Sequence, residues 1–425
     1  MTELYKKFLE SKVITTDSRD CPKGSIFFAL KGESFDGNKY AASALEKGCA
    51  YAVVDEAEYA VDDEKYMLVD DVLKALQDLA NEHRRALGTP IIGITGTNGK
   101  TTTKELVASV LQKKYNVLYT QGNFNNHIGV PKTLLRLTEE HEIAVIEMGA
   151  NHPGEIKTLV NIVEPDCGLI TNVGKAHLEG FGSFEGVIKT KGELYDFLRE
   201  GRADVADNEP DKKVAFIDTE NEYLMGISEG LDLIPYVKGE VIACDPFLRF
   251  KWEGGEVQTH LIGAYNMKNM LAAATVGLSF GVTPEQINEA LSEYCPSNNR
   301  SQLTVTESNK LIVDTYNANP RSMMAALQNF AIMEVSPKMA ILGDMRELGE
   351  VSAEEHQKVV DFLKEKNIEN VWLVGAEFGK TNCDYRKFAD VNEVKDAIAA
   401  EKPQGEYILI KGSNGIKLFE LPELL

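Results

Sequence analysis

The chain has 425 residues, of which 43% are hydrophobic and 26% charged, and these ordinary values for a globular protein exclude a disordered or fibrous one. At about 150 residues per domain, this length predicts two to four domains. The formal net charge of −21 argues against a general nucleic-acid-binding surface, so any anionic ligand requires a local site.

The first 88 residues mix short β-rich runs with helical stretches, which predicts a small mixed α/β N-terminal domain over residues 1–88. Strands are predicted at residues 25–30, 51–54 and 66–69, and a helix at 72–87. The helix ends at the breaker cluster Gly88-Thr89-Pro90, which we interpret as the first interdomain linker.

The next part of the chain has continuous apolar strands separated by helices, a pattern that indicates a parallel sheet covered on both faces. Strands are predicted at residues 91–95, 143–148 and 167–172, and a helix at 101–113. The apolar stretch 270–282 is short and rich in Ala and Gly, which predicts a buried helix. These elements define a central domain over residues 89–298.

A second breaker cluster at residues 295–299 precedes another alternation of strands and helices. Strands are predicted at 310–314, 339–342, 371–374 and 407–410, with helices from about residue 322 and at 354–366. This pattern predicts a Rossmann-like, doubly wound domain over residues 299–425. The expected fold class is therefore α/β with three domains.

The cysteines and the hydropathy pattern bear on the compartment. The six cysteines are far apart and form no C-x-x-C pair, which disfavours a zinc site and a disulfide framework. No stretch approaches the roughly 18 consecutive apolar residues of a spanning helix, and the start MTELYKKFLE lacks the apolar core of a signal peptide. We expect a cytoplasmic protein without membrane insertion.

Residues 93–103 read GITGTNGKTTT and lie between a predicted strand and a predicted helix, where a phosphate loop occurs. The helix N-terminus directs free N–H groups at an anion, Lys100 can reach the β and γ phosphate oxygens, and the Thr101 hydroxyl can ligate Mg²⁺. The general P-loop pattern is not met to the letter, because position 94 is isoleucine. The alternative is a glycine-rich turn with a solvated lysine. The predicted ATP-binding residues of this loop are Gly96, Thr97, Asn98, Gly99, Lys100, Thr101 and Thr102.

The form TGTNGKTTTK resembles the ATP-binding loop of the Mur ligase family, and further matches follow in order along nearly the whole chain. They are GNFNNHIGVP at 122–131, EMGANHPGE at 147–155, NVGKAHLEGFGS at 172–183, KTKGE at 189–193, DTYNANPRS at 314–322, GDMRELG at 343–349 and KGSNG at 411–415. The resemblance implies a P-loop ATPase-like central domain and a substrate-binding N-terminal domain.

The motifs GNFNN and DTYNANPRS are most similar to the family member that adds a dipeptide. The activity implied is an ATP-dependent amide ligase of peptidoglycan precursor synthesis. It would join D-alanyl-D-alanine to UDP-N-acetylmuramoyl-tripeptide through an acyl phosphate, with these two compounds as its partners. The alternatives are a sibling ligase adding a single amino acid such as diaminopimelate or lysine, a folate polyglutamate ligase, or a non-enzymatic nucleotide-dependent switch.

Glu147 ends an apolar strand at the edge where α/β sheets bind ligands, and its hard oxygen suits Mg²⁺. Its alternative role is a solvent-facing carboxylate. The resemblance implies that Glu147 and Thr101 bind one Mg²⁺ and that His177 and Lys191 support a second, with Lys191 modified to N6-carboxylysine. Lys189 is the alternative position for this modified lysine. Together with Lys100, the residues Glu147, His177 and Lys191 form the expected catalytic group.

The resemblance also places three residues around the nucleotide: Asn269 near the adenine, Arg300 near phosphate and Asp314 at the ribose. Asn269 could equally cap or pack a helix. The sequence departs from the family pattern at Tyr265, where a histidine is usual, at NNRSQL around Arg300, and at VADN in residues 205–208.

Two further groups of residues are implied for the substrates. Asn125, Asn126, Asn317 and Asn319 lie in two Asn-rich loops that border the peptide substrates in the family, although asparagine is also a common turn former. Ser18, Arg19 and Lys31 would serve the uridine diphosphate end, where an arginine fork suits a diphosphate. Nothing in the sequence indicates an oligomer, and we favour a monomer.

Overall fold

A computed structural model describes residues 1–61, 64–201, 214–296 and 300–425. The described chain forms three α/β units that follow one another in sequence. The tetrapeptide at residues 205–208 and the predicted domain boundary after residue 298 lie outside the described residues. None of the helices in the described part is long and apolar enough to cross a membrane.

The first unit is built around a four-stranded parallel sheet of order β1-β2-β5-β6, with a short antiparallel hairpin of β3 and β4. Its strands are β1 Ile14–Thr15, β2 Ile26–Phe28, β3 Lys31–Gly32, β4 Phe35–Asp36, β5 Tyr51–Val54 and β6 Tyr66–Leu68, and its helices are α1 Glu3–Ser11, α2 Ala41–Glu46 and α3 Val72–Leu87. Helix α3 begins after Asp71, whose side chain accepts from the backbone N–H of Lys74, and ends at Gly88 with φ 66°. This helix has the predicted bounds.

The central unit contains a six-stranded parallel sheet of order β12-β11-β10-β7-β9-β8. Its strands are β7 Ile91–Thr95, β8 Val117–Tyr119, β9 Ile143–Glu147, β10 Cys167–Ile170, β11 Val214–Ile217, β12 Asp232–Pro235, β13 Gly239–Cys244, β14 Phe247–Trp252 and β15 Gly255–Ile262. Its helices are α4 Lys100–Leu111, α5 Gly129–Leu134, α6 Glu155–Val163, α7 Leu178–Phe181, α8 Phe184–Glu200, α9 Glu222–Gly226, α10 Met267–Ser279 and α11 Pro284–Glu293.

Two features of the central unit matter for function. Strand β7 lies between β9 and β10, so the segments that follow these three strands meet at one edge of the sheet, the position of a ligand crevice in α/β folds. Strands β13, β14 and β15 form a separate antiparallel sheet that the sequence pattern did not predict.

The third unit is a six-stranded sheet of order β16-β17-β21-β18-β19-β20, with β16 antiparallel and the other strands parallel. Its strands are β16 Gln302–Val305, β17 Lys310–Asp314, β18 Lys338–Gly343, β19 Asn370–Val374, β20 Arg386–Phe388 and β21 Tyr407–Lys411, and its helices are α12 Pro320–Ile332, α13 Ser352–Glu365, α14 Ala376–Gly379 and α15 Val391–Ala400. The sheet is mixed because its edge strand β16 is antiparallel.

Successive residues of the inner strands of the third unit belong to different hydrophobic cores. In β18, Ala340 and Leu342 pack into the core that contains α12 and α13, whereas Met339 and Ile341 pack into the core that contains α15. Both faces of the sheet are thus covered, which is why the strand reads as a continuous apolar run.

Helix α3 also attaches the first unit to the central one. The Arg84 guanidinium donates from Nε to the carbonyl of Val163 at 2.9 Å and from Nη2 to the carbonyl of Glu164 at 2.6 Å. These carbonyls end helix α6, so a buried cation lies at the negative end of the helix dipole. One hydrophobic core accordingly continues from the first unit into the central unit.

Candidate active site

The loop from Gly96 to Gly99 connects β7 to α4 and has the geometry of a phosphate loop. Gly99 has φ 78° and precedes the first residue of α4, and Gly96 has φ 140°. A Cβ on Gly96 would lie 2.1 Å from Thr171 Oγ1, so glycine is required there by both conformation and space. Lys100 Nζ donates to the carbonyls of Gly96 and Thr97 at 2.9 and 3.0 Å.

The loop is held in shape by the segment that follows β10. The backbone N–H of Asn98 donates to Asn172 Oδ1 at 3.1 Å, and the Asn98 carbonyl accepts from Thr171 Oγ1 at 2.7 Å and from Asn172 Nδ2 at 2.9 Å. From the third unit, Asn319 Nδ2 donates to Asn98 Oδ1 at 2.7 Å. The phosphate loop is therefore a contact point between the central and third units.

Glu147 is fully buried and lies beside the first turn of α4. Its Oε1 accepts from the Thr101 hydroxyl at 3.1 Å and from Asn125 Nδ2 at 2.7 Å. Its Oε2 is buried and has no hydrogen-bond partner among the described residues. An ionised oxygen in that position is unfavourable unless it has a ligand, so the pair of Glu147 and Thr101 fits a hard cation such as Mg²⁺.

No group of three or more His, Cys, Asp or Glu side chains in the described ranges is arranged to hold a metal ion. Mg²⁺ typically binds one or two protein carboxylates and completes its shell with water and substrate phosphates. Glu147 and Thr101 match the small number of protein ligands that Mg²⁺ uses.

A cavity of about 320 Å³ extends from the phosphate loop between the central and third units. Asn269, Arg300 and Asp314, the three residues expected around the nucleotide, all line it. Arg300 lies with its Cζ 3.8 Å from the ring centroid of Tyr316, and its buried Nε has no partner among the described residues. Such a guanidinium is available to an anion. We call this space the nucleotide cavity.

The other two residues are already partly engaged. Lys411 Nζ donates to Asp314 Oδ2 at 2.5 Å, which leaves the second carboxylate oxygen for a hydroxyl. Asn269 Oδ1 accepts from Thr103 Oγ1 at 3.1 Å, and its Nδ2 donates to Asn266 Oδ1 at 2.9 Å. The packing role left open for Asn269 is therefore real, and it coexists with a position on the cavity wall.

A second cavity of about 850 Å³ adjoins the first, and we call it the reaction cavity. His177 and Lys191 line it, together with Lys100. His177 Nδ1 pairs with Glu347 of the third unit, a residue to which the sequence analysis assigned no role. Burial lowers the pKa of His177, and the neighbouring cations Lys100 and Lys191 lower it further, while Glu347 opposes them. The neutral imidazole is thus favoured.

Lys191 lies on α8 and is 2% exposed, whereas Lys189 is exposed. Lys191 Nζ donates to the carbonyl of Ala150 at 3.0 Å and lies 5.3 Å from the ring centroid of Phe181. Burial, followed by the nearby Lys100, lowers its pKa well below the usual lysine range. Of the two candidate lysines, Lys191 is therefore the buried one that lines the cavity, and its lowered pKa favours the neutral amine.

Lys100 is subject to the same effect. Burial lowers its pKa to about 8, with Arg300 adding to the decrease and Glu147 opposing it. Arg300 thus disfavours the charge of Lys100 at the phosphate loop, and Lys100 in turn disfavours the charge of Lys191. An anion bound between them would remove this penalty, which is the electrostatic condition for a phosphate site.

The four asparagines expected near the peptide substrates have different roles. Asn125 contacts Glu147, and Asn126 Oδ1 accepts from the N–H of Gly129 at 2.8 Å at the start of α5. Asn319 forms a capping box with Ser322 at α12. Asn125, Asn126 and Asn317 line the reaction cavity, whereas Asn319 lies outside it.

The residues expected at the uridine diphosphate end line neither cavity. The Arg19 side chain is 88% exposed and forms a bidentate pair with Asp17 at 2.8 and 2.9 Å. Lys31 is bridged to Asp55 and Glu56, each at 2.8 Å. Ser18 is half-buried in the same unit, and its carbonyl accepts from Lys47 Nζ. Their role in substrate binding stays a prediction.

Three site residues were not assigned from the sequence: Asn172, Tyr316 and Glu347. Each lies in a motif that had been noted, namely NVGKAH, DTYNANPRS and GDMRELG. The motifs therefore marked these three residues, but the role of each depends on the residue that it contacts. Those partners are Asn98, Arg300 and His177, all distant in sequence.

Comparisons with known proteins cover nearly the whole chain. Family models match residues 10–84 (Mur ligase family, catalytic domain), 94–277 (Mur ligase middle domain) and 299–414 (Mur ligase, glutamate ligase domain). The UDP-N-acetylmuramoyl-tripeptide--D-alanyl-D-alanine ligase of Bacillus subtilis (strain 168) is 36% identical over 423 residues, covering 96% of this chain and 92% of the relative.

Solved structures have the same architecture. A crystal structure of MurF from Acinetobacter baumannii is 31% identical, with a TM-score of 0.84, and the match covers 97% of this chain and 92% of that one. A MurF ligase from Thermotoga maritima in complex with ADP has a TM-score of 0.85 at 24% identity, over 100% of this chain and 98% of that one. The three-domain α/β fold expected from the sequence is confirmed.

Proposed function

This chain belongs to the Mur ligase family, and we propose that it is an ATP-dependent amide ligase that joins D-alanyl-D-alanine to UDP-N-acetylmuramoyl-tripeptide. The substrates are those named for the Bacillus subtilis relative. The product would be a peptidoglycan precursor. All six cysteines are free, which fits the reducing cytoplasm in which we expect the enzyme to act as a monomer.

The observation that carries the proposal is that the nucleotide cavity and the reaction cavity meet at the phosphate loop. Both are lined by Thr97, Lys100 and Asn125 from the central unit and by Tyr316 and Asn317 from the third. A triphosphate in the smaller cavity would present its γ-phosphate to the larger one. The larger cavity, at about 850 Å³, is of the size that accommodates an extended organic substrate.

The first step proposed is attack of the terminal tripeptide carboxylate on the γ-phosphate of ATP, which forms an acyl phosphate and releases ADP. This step brings anions together, so it depends on positioning and charge neutralisation more than on a covalent nucleophile. Lys100 would neutralise the transferring phosphate and Arg300 would bind the phosphate chain. Asp314 would accept a hydrogen bond from a ribose hydroxyl through its free oxygen.

Glu147 and Thr101 would hold a Mg²⁺ ion bound with the nucleotide, because Glu147 Oε2 is the orphaned oxygen of the site. When bound, magnesium supplies charge neutralisation at the phosphates. Asn125 orients Glu147 by donating to its other oxygen.

A second Mg²⁺ would be supported by His177 and by Lys191 after carbamylation. The neutral Lys191 amine attacks carbon dioxide, forms a nitrogen–carbon bond and releases one proton, giving N6-carboxylysine. The depressed pKa of Lys191 favours the amine form that this reaction needs. The change would also give the buried Lys191 side chain a negative charge, which supplies an oxygen ligand for a metal ion.

In the second step the free amine of D-alanyl-D-alanine attacks the acyl phosphate carbonyl, and inorganic phosphate leaves from the tetrahedral intermediate. The amine must lose a proton. Glu347, which lies beside His177 at the cavity wall, is our candidate for the acceptor, because His177 is assigned to the second Mg²⁺.

The test is phosphate release from MgATP with UDP-N-acetylmuramoyl-tripeptide and D-alanyl-D-alanine, with each component omitted in turn. Release that requires every component supports the proposal. Lys100→Met should reduce it by about 100-fold or more, since a preorganised cation at a transferring phosphate is lost, whereas Lys189→Met is the matched control on an exposed lysine. A single amino acid that replaces the dipeptide would favour the sibling ligase. Nucleotide turnover that depends on neither the tripeptide carboxylate nor the dipeptide amine would favour a nucleotide-dependent switch.

A further inference from the structure

Tyr265, one of the positions at which the sequence departs from the family pattern, lies where the central and third units meet. It belongs to the single turn Ala264–Asn266 that connects β15 to α10 of the central unit. Its hydroxyl lies 2.7 Å from Oγ of Ser301, the residue immediately before β16 of the third unit. Both residues line the nucleotide cavity. One side-chain hydrogen bond thus joins the two units directly beside Arg300.

The backbone around Tyr265 leaves room for its ring to fold back on the turn. Gly263 has φ 96°, and a Cβ at this position would lie 2.2 Å from Tyr265 Cε1. The backbone N–H of Asn266 donates to the carbonyl of Gly263 at 3.0 Å, which closes the turn. Burial and the nearby Asp314 carboxylate raise the pKa of Tyr265. The phenol therefore stays protonated and can donate to Ser301.

Ser301 has a backbone conformation that is unusual for a residue with a side chain. Its φ is 48°, in the left-handed region that a Cβ disfavours. Its side chain is 7% exposed, and Tyr265 is its one hydrogen-bond partner among the described residues. A disfavoured conformation persists only where the surroundings hold it, and a buried hydroxyl without a partner is costly. The hydrogen bond from Tyr265 thus stabilises the left-handed conformation.

The φ of Ser301 sets the direction of Arg300. Strand β16 begins at Gln302, and its pairing with Val313 of β17 fixes the chain in the sheet of the third unit. The φ bond of Ser301 lies between this fixed strand and Arg300, so rotation about it moves Arg300 relative to the sheet. In the observed conformation the Arg300 guanidinium lies over the ring of Tyr316, and its buried Nε has no partner among the described residues.

We propose that Tyr265 is a positioning residue for nucleotide binding: its hydrogen bond holds Ser301 in the left-handed conformation, and this conformation directs Arg300 toward the phosphates. The inference rests on the nucleotide site of the proposed function. Tyr265 acts through Ser301 and Arg300, and its effect requires no contact between its own side chain and the nucleotide.

The experiment measures the Kd of MgADP by isothermal titration calorimetry. Tyr265→Phe removes only the hydroxyl and should raise the Kd by about 2- to 10-fold, the ratio expected from the loss of one hydrogen bond of typical net strength. Ser301→Ala removes the other partner, keeps the Cβ and should raise the Kd to the same extent. The double variant should bind no more weakly than either single variant, because both changes remove the same interaction.

A glycine at position 301 separates positioning from a general loss of packing. Glycine adopts positive φ about as readily as negative φ, so it reaches the required conformation without the hydrogen bond. Tyr265→Phe combined with Ser301→Gly should therefore bind MgADP within about two-fold of wild type. A direct contact between the Tyr265 hydroxyl and the nucleotide would not be restored by this change.

Two controls test whether the effect is specific and whether it passes through Arg300. Tyr115→Phe removes a hydroxyl that donates to the carbonyl of Phe280 at 2.7 Å, elsewhere in the central unit, and should leave the Kd unchanged. In an Arg300→Gln background, which should itself weaken MgADP binding, adding Tyr265→Phe should have no further effect. The midpoint of thermal unfolding without ligand verifies that each variant is folded.

The outcomes separate this inference from the proposed function. If wild type binds MgADP and Tyr265→Phe leaves the Kd unchanged, or if Ser301→Gly does not restore the lost affinity, the positioning role is overturned and the nucleotide site stands. An absence of MgADP binding in wild type would overturn both. Weaker binding in Tyr265→Phe and Ser301→Ala that Ser301→Gly restores, with no change in Tyr115→Phe, would support the positioning role.

Discussion

Neutralising Glu147 is expected to have opposite effects on stability with and without MgADP. In Glu147→Gln the carbonyl oxygen can still accept from Thr101 and Asn125, but the buried negative charge on the orphaned Oε2 is removed. A buried oxygen without a hydrogen-bond partner costs about 1–3 kcal/mol and more when the group is charged, whereas the unpaired amide that replaces it costs less. Without metal the variant should therefore be more stable than wild type by about 1 kcal/mol.

With MgADP the order should reverse. Ligand at 100 times its Kd stabilises the folded protein by about 2.7 kcal/mol, and wild type should receive this stabilisation while the variant, which lacks the anionic ligand, should receive little. The assay is the midpoint of thermal unfolding in EDTA and in excess MgADP. Glu147→Gln should have the higher midpoint in EDTA, and wild type should have the higher midpoint in excess MgADP.

Asp344→Asn is the matched control. Asp344 is also a buried carboxylate, but its two oxygens accept from the N–H groups of Glu377 at 2.9 Å and Phe378 at 2.8 Å. Its neutralisation should cost about 2–3 kcal/mol in both conditions, because a charge-assisted bond is lost. If Glu147→Gln lowers stability in EDTA as Asp344→Asn does, the interpretation of Glu147 as a metal ligand with an unsatisfied oxygen is refuted.

Three further predictions concern the phosphate loop and its neighbours. ADP binding near pH 8 should take up about half a proton, because Lys100, with a pKa of about 8, regains its charge beside phosphate. The proton uptake can be measured by calorimetry in buffers of different ionisation enthalpy, and Lys100→Arg should abolish it. Uptake that persists in this variant would exclude Lys100 as its source. With ¹³C-bicarbonate at pH 7, wild type and Lys189→Met should show a carbamate resonance that Lys191→Met lacks, since Lys191 is the one of the two candidate lysines that is buried and has a lowered pKa. A signal unaffected by Lys191→Met would contradict this. Gly96→Ala should abolish nucleotide binding because its Cβ would meet Thr171 Oγ1 at 2.1 Å. Gly182→Ala, at a glycine whose φ of 75° is also positive but whose Cβ would meet nothing within 4 Å, should retain binding in the same assay.

The elements of the fold were largely predictable because their signals are local. The helix at 72–87 and the strands at 91–95 and 310–314 were predicted with the bounds that the structure shows. Capping residues, breakers and runs of apolar residues act within a few positions of the chain, so a single sequence contains them. The antiparallel strands β13–β15 were not predicted, because each of them depends on pairing with a neighbouring strand that the sequence pattern does not identify.

The positions of the phosphate loop and of Glu147 in the fold also followed from the sequence, since each lies at the end of a strand. Their chemistry did not. That Glu147 has one orphaned oxygen, that Lys191 and not Lys189 is buried, and that His177 pairs with Glu347 are results of packing between residues far apart in the chain. Burial and pKa depend on the sum of these long-range contacts, and only the tertiary structure brings them together.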